Sequence, residues 1–286
     1  MQTRIDNLVK WIRTQVPEGG KAVLGISGGK DSTIAAALCV KALGAENVIG
    51  VLMPNGHQKD LDDALAVVAL LKLQYHVINI GSTYDELCTA INRSIYLTHA
   101  VGNYIDKNPM VRTNLPARLR MATLYAVAAE YKNSRVVNTC NYSEDYVGYS
   151  TKYGDAAGDF SPLGSLTVRE VLEIGDALEL PYNLVHKVPS DGMCGKTDED
   201  NLGFTYEQLD NYILGTGEVN PEVVKKIEHL HKTTRHKYVQ IPTYNMDVNW
   251  DDEEINSQKE LEKISILINN GRAAAMGYHC WPIEEE

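Results

Sequence analysis

The sequence predicts an α/β fold: a parallel sheet with helices on both faces, followed by a helical C-terminal portion. Two observations carry this. Short apolar runs without alternation recur at residues 21–26, 48–53, 75–80 and 135–139, as expected of strands buried on both faces. Helical patterns separate them, which calls for crossover connections rather than hairpins.

In chain order, residues 1–16 form an amphipathic helix with Ile5, Leu8, Val9 and Ile12 on one face. The first strand, residues 21–26, leads into an apolar helix over 33–43 with Gly44 as its C-cap. The second strand ends at Pro54 and a polar loop, and a helix over 61–73 precedes the third strand. Helices over 83–99 and 114–132 lead to the fourth strand, 135–139. Residues 140–166 and 187–204 read as long polar loops, and long loops in a compact domain are usually functional. Helices over 167–178, 206–214 and 221–234 complete the pattern. Ligands of such sheets sit at the carboxyl ends of the strands, which directs attention to residues just after Ile26, Met53 and Thr139.

The net charge of −11 and pI of about 5.2 disfavour a nucleic-acid surface. No run of about 18 apolar residues occurs, so no membrane span is expected. The N-terminus lacks the apolar core of a signal peptide. Cys39, Cys88, Cys140, Cys194 and Cys280 are scattered, which suits a reducing, cytoplasmic setting. Acidic residues concentrate at 247–286, which is read as an extension to a domain spanning 1–246. Leu261, Ile264, Leu267 and Ile268 there have the period of a docking helix.

The chemistry begins at Gly25-Ile26-Ser27-Gly28-Gly29-Lys30-Asp31-Ser32, between a buried strand and a helix. Adjacent glycines let backbone amides converge, and the helix adds its positive N-terminal end; together they suit phosphate or pyrophosphate. Ser27 and Ser32 add hydroxyls. Asp31 would repel a phosphate unless Mg²⁺ lay between them. The stretch is not a P-loop, because Leu24 and Asp31 stand where that motif needs Gly and Ser or Thr. Lys30 reads as a variable loop position.

Ser-Gly-Gly-x-Asp-Ser directly after a strand resembles the pyrophosphate loop of the N-type ATP pyrophosphatases, with their Rossmann-like, adenine nucleotide alpha-hydrolase-like sheet. That group cleaves ATP between its α- and β-phosphates, adenylates a carbonyl oxygen and displaces AMP with a nitrogen nucleophile. Further blocks resemble the NAD synthetases over roughly residues 1–245: Asn114 to Met121, Thr139 to Glu144, Thr151-Lys152-Tyr153-Gly154-Asp155, and Thr197-Asp198-Glu199-Asp200 with Leu202-Gly203. The resemblance implies ATP-dependent amidation of deamido-NAD with ammonia, giving NAD, AMP and pyrophosphate. It implies that residues 25–32, Thr139 and Ser190 bind ATP and that Asp31 and Glu144 hold Mg²⁺. Arg118, Lys152, Asp159, His236 and Lys237 match positions that bind deamido-NAD, and Asp155 lies where the family receives ammonium. A homodimer is implied as well. Arg120, two positions from Arg118 on one helix, reads as structural.

The chain departs from the family in three places. Val168 stands where a lysine usually reaches ATP, so either Arg169 or Lys196 replaces it or phosphate binding is weakened. Asn138 replaces a glycine before Thr139, and Tyr238-Val239-Gln240 replace a basic run after His236-Lys237. No stretch suits a glutaminase, so free ammonia is the expected nitrogen source. The rival readings are another N-type ATP pyrophosphatase (tRNA-modifying, or a synthetase subunit of an amidotransferase) and a catalytically weakened nucleotide-binding paralogue.

Overall fold

The computed structural model describes residues 1–56, 61–99, 108–187 and 197–244. The chain divides into two compact units, Met1–Lys237 and Tyr238–Glu286, and the first holds the fold. The expected acidic extension at 247–286, Ser190 and Lys196 lie outside the described residues.

Four strands, β1 (Ala22–Gly25), β2 (Val48–Leu52), β3 (Gln74–Val77) and β4 (Arg135–Val136), form one parallel sheet in the order β3-β2-β1-β4. Val23 pairs with Ile49 on one side and with Val136 on the other. The chain steps outward from β1 to β3 and then returns to the opposite side of β1. Loops leaving β1 and β4 therefore diverge, which makes a crevice at their carboxyl ends.

Alternate side chains of the buried strands enter different layers. Ala22, Leu24, Val48 and Leu52 pack with α1 (Gln2–Gln15), α2 (Lys30–Leu43) and α3 (Leu61–Leu71). Val23, Ile49 and Val51 pack on the other face against Leu119, Leu124 and Ala128 of α5 (Pro109–Ala129). The expected face of the N-terminal helix is found, with Ile5, Val9 and Ile12 buried and Leu8 partly so. Gly44 caps α2 by donating its N–H to the Val40 carbonyl. β3 is an edge strand whose four side chains are all exposed.

Helix α4 (Gly81–His99) begins two residues before its expected start, and α5 begins five before. For α5 the reason is local: Asn108 accepts from the Met110 N–H, and Pro109 needs no hydrogen-bond partner in the first turn. Two short helices, α6 (Tyr142–Val147) and α9 (Asp198–Leu202), fall within the expected loops, and a third, α8 (Tyr182–Val185), lies between the expected helix 167–178 and the loop 187–204. Helices α7 (Val168–Ala177), α10 (Tyr206–Leu214) and α11 (Pro221–Thr234) match their expected spans closely. A third apolar cluster, containing Val147, Val168, Phe204, Tyr206, Leu209 and Ile227, joins α6, α7, α10 and α11 into the helical C-terminal portion. Among the described residues, no helix is long and apolar enough to cross a membrane.

Candidate active site

The turn from β1 into α2 is held by its own hydroxyls. Ser27 and Ser32 bring their Oγ atoms to 3.0 Å, the Ser32 hydroxyl accepts from the Ser27 N–H at 3.3 Å, and Gly29 donates its N–H to Ser27 Oγ at 3.2 Å. Gly28 sits at φ +79°, and a Cβ there would come within 2.7 Å of Asp63 Cβ and 2.8 Å of the Ala64 nitrogen. Glycine is needed at 28 both for the left-handed backbone and for the close approach of α3. Lys187 pairs with Asp63, which ties the end of a described segment to the first turn of α3 beside this loop.

Helix α6 starts at the end of β4 and faces the same crevice. Asn141 is its N-cap, and its side-chain oxygen accepts from the Glu144 N–H at 3.0 Å. Glu144 Oε2 accepts in return from the Asn141 N–H at 3.3 Å, completing a capping box. Asn141 uses its other side-chain atom to donate to Asp31 Oδ1 at 3.0 Å, across 110 positions of sequence. One asparagine thus couples the two strand ends and the two carboxylates.

Lys30 lies between those carboxylates, and here the structure corrects the expectation. It is not a loop position but the first residue of α2, only 5 % exposed. Its Nζ is 2.7 Å from Asp31 Oδ2 and 4.0 Å from Glu144 Oε1, and lies 5.6 Å from the ring centroid of Tyr206. Burial alone would lower the pKa of this ammonium, but Asp31 and then Glu144 outweigh it and hold the group charged. Glu144 is pushed up to about 8, first by burial and next by the Asp31 charge, with Lys30 opposing. Tyr206 is buried with no hydrogen-bond partner for its hydroxyl among the described residues. Burial, then Glu144, Asp198 and Asp31, push its phenol upward. Asn141 and Tyr206 had no expected role in this cluster, and Lys30 was expected only as one residue of the ATP-binding run 25–32. The Asn141-x-x-Glu144 capping box was the available signal for one of them.

The loop after α6 brings the other expected residues together. Asn138 is buried at the strand end, where it donates to the carbonyls of Asp155 and Ala157 at 2.8 and 3.2 Å and accepts from the Cys140 N–H and the Ser161 hydroxyl. The asparagine that replaces the usual glycine is therefore fully used in holding the 155–161 turn. Thr139 follows it, half-buried. Asp155 accepts from the Thr151 N–H at 2.8 Å; loss of hydration raises its pKa although its surface remains open. Lys237 donates to the Gly148 and Ser150 carbonyls at 2.6 and 2.7 Å, Lys152 donates to the His236 carbonyl at 2.7 Å, and Arg118 donates to the Lys152 carbonyl at 3.3 Å. Arg118, Lys152, Asp155, His236 and Lys237 thus gather around residues 148–155, with Arg118 and His236 exposed. Asp159 is different. Its Oδ2 accepts from the Val136 N–H at 2.7 Å and so completes the edge of β4. Arg120 donates to the Met53 carbonyl at 3.1 Å, which fits a structural reading.

Val168 belongs to the C-terminal apolar cluster and is 7 % exposed. Arg169 spends its guanidinium on Asn211 at 2.6 Å and Thr216 at 3.4 Å, so it is committed to α10 and its vicinity rather than to a phosphate. Among the described residues, Lys30 is a buried cation that does stand in the crevice.

Two carboxylates converging on one buried ammonium make a donor set that suits a cation. Among the described residues no group of three His, Cys, Asp or Glu side chains could hold a metal unaided. Asp31 and Glu144 fit Mg²⁺ only if other oxygens complete its shell.

A family model described as NAD synthase matches residues 4–241. The NH(3)-dependent NAD(+) synthetase of Syntrophomonas wolfei is 40 % identical over 237 residues, covering 82 % of this chain and 92 % of that protein. Among solved structures, the NMN synthetase of Francisella tularensis superposes with a TM-score of 0.75 at 33 % identity, over 86 % of this chain and 98 % of that one. The NH3-dependent NAD synthetase of Campylobacter jejuni, in complex with nitrate, gives a TM-score of 0.67 at 31 % identity, over 85 % and 99 %. The phosphate-shaped turn, the carboxylate pair at two strand ends and these similarities agree: the chain belongs to the NAD synthase family.

Proposed function

We infer that the chain catalyses the ATP-dependent amidation of deamido-NAD with ammonia, forming NAD, AMP and pyrophosphate. The observation that carries the reading is the joining of Asp31 and Glu144, from the ends of β1 and β4, beside a loop shaped for pyrophosphate. Asp31 and Glu144 would hold Mg²⁺, whose charge, when it is bound, offsets that of the triphosphate and of the leaving pyrophosphate. The Gly28, Gly29 and Ser32 amides and the Ser27 and Ser32 hydroxyls bind that pyrophosphate. The nicotinate carboxylate attacks the α-phosphorus, the bond to pyrophosphate breaks, and an acyl-adenylate forms. Ammonia then attacks the carbonyl carbon, and AMP departs with the former carboxylate oxygen.

The cations of Arg118, Lys152 and Lys237 match the dianionic diphosphate of the substrate, with His236 beside them. Asp155 carries the ammonium: its exposed carboxylate attracts the cation and accepts the proton that must leave before nitrogen attacks. Asp159 acts through β4, since one of its oxygens already serves Val136. Thr139, half-buried just after β4, binds the ATP. Exposed Tyr75 and Val77 on β3 and Leu87 on α4 support a homodimer, which sedimentation would test. Buried thiols at Cys39 and Cys140, outside any disulfide, support a cytoplasmic setting.

A second reading, amidation of nicotinic acid mononucleotide, is favoured by the likeness to the Francisella NMN synthetase. One assay separates the readings: ATP, Mg²⁺ and ammonium with either acid, following amide product and AMP. Faster turnover of deamido-NAD is expected. Preference for the mononucleotide would replace the first reading with the second. AMP formation only with tRNA, or ATP binding without turnover of either acid, would overturn both.

A further inference from the structure

We propose that Lys30 is a built-in counter-cation that keeps the metal site filled until nucleotide arrives, so that Asp31 and Glu144 accept Mg²⁺ together with ATP and not before it. The proposal rests on the reading of Asp31 and Glu144 as the metal-holding pair. Lys30 is almost fully buried, touches Asp31 at 2.7 Å and stands 4.0 Å from Glu144. The ammonium therefore occupies the space between the carboxylates that a cation would use.

Charge decides the order of binding. Two carboxylates and one ammonium leave at most a single negative charge, and Mg²⁺ alone would set a second cation against the ammonium inside a site largely withdrawn from water, with Asp198 and Asp145 as the further acids nearby. Repulsion between the ammonium and a divalent ion a few ångströms away is strong there. Among the described residues no group of three acidic, His or Cys side chains could hold the metal, so direct ligation by the protein does little to offset it. The triphosphate changes both terms: it supplies oxygens to the metal and an anionic partner for the displaced ammonium. Lys30 also has an aromatic face within reach, the Tyr206 ring with its centroid 5.6 Å from Nζ. A merely structural ion pair would make the opposite prediction, because its removal would disorder the carboxylates and weaken metal binding.

The test is Mn²⁺ binding to the nucleotide-free full chain, followed by electron paramagnetic resonance, for wild type, Lys30→Met, Lys30→Gln and Lys30→Met with Asp31→Asn. Removing the competing charge should tighten Mn²⁺ binding by about tenfold or more. The added Asp31→Asn change should cancel the gain. Equal or weaker Mn²⁺ binding in a folded Lys30 variant would overturn the proposal and leave the metal reading standing. Should neither variant fold, the wild type decides: Mg²⁺ alone should leave its melting temperature unchanged, and a clear rise would overturn the proposal. A different result would bring down the metal reading itself: Asp31→Asn binding Mn²⁺ with α,β-methylene-ATP as tightly as wild type does.

Discussion

Asp31 uses both oxygens within the protein, one on the Asn141 amide and one on the Lys30 ammonium. Asp31→Asn keeps the shape but loses the charge that a metal and a buried ammonium both require. We expect AMP and pyrophosphate release to fall below detection while circular dichroism stays native; near-normal turnover would remove the metal role. Glu144 predicts a pH effect. In the unfolded chain it ionises near the ordinary value of 4.5, whereas in the fold it keeps its proton up to about 8. Between those limits the unfolded state binds fewer protons, so this group lowers stability as pH rises. Glu144→Gln cannot ionise and should lack that part of the decline. Urea denaturation without metal or nucleotide, from pH 5 to about 8, checks it. Parallel curves for the two proteins would contradict the assignment. At this scale the convergence of Asp31 and Glu144 was expected from their motifs, but the burial of Lys30 between them was not. A lysine beside the loop carries no mark of burial until the helix start at residue 30 turns it between two acids that are distant in sequence.

The elements that deliver these residues are short. Helix α6 has six residues, too few for any hydrophobic period, which explains why residues 140–166 read as loop. By contrast, α10 and α11 were readable to the residue, because Thr205 with Gln208 and Asn220 with Pro221 are start signals and periodic apolar residues follow. What holds α6 in place is a buried link. Asp210 of α10, 1 % exposed, accepts from the Ser143 hydroxyl and from the Arg169 N–H, while Ser143 Oγ accepts from the Val168 N–H. Ser143 adjoins Glu144, so this link positions the carboxylate through the helix. Asp210→Ala leaves two donors without their acceptor and should cost about 2–3 kcal/mol. For a unit of this size that is a fall in melting temperature of about 5–10 °C. Asp210→Asn keeps an acceptor and should lose less; equal losses in the two variants would show that the link carries no such weight.

At the scale of the whole molecule, the strand order was not readable from the sequence, although the parallel class was. Periodicity identifies strands but does not say that β4 returns beside β1, and that return is what opens the crevice. It also makes any nucleotide bound there a bridge between the two halves of the sheet, with the loop after β1 on one side and α6 after β4 on the other. Binding should therefore stabilise the entire Met1–Lys237 unit rather than one loop. At a ligand concentration of about 100 Kd, a ligand that binds only the folded state adds about 2.7 kcal/mol. For a domain of this size the melting temperature should then rise by about 5–10 °C, in a single transition. Calorimetry with Mg²⁺ and α,β-methylene-ATP, which cannot be split between its α- and β-phosphates, measures this without turnover. Asp31→Asn should lose most of the shift. Two separate transitions, with only one moved by ligand, would mean that the β1 and β4 ends do not act as one site.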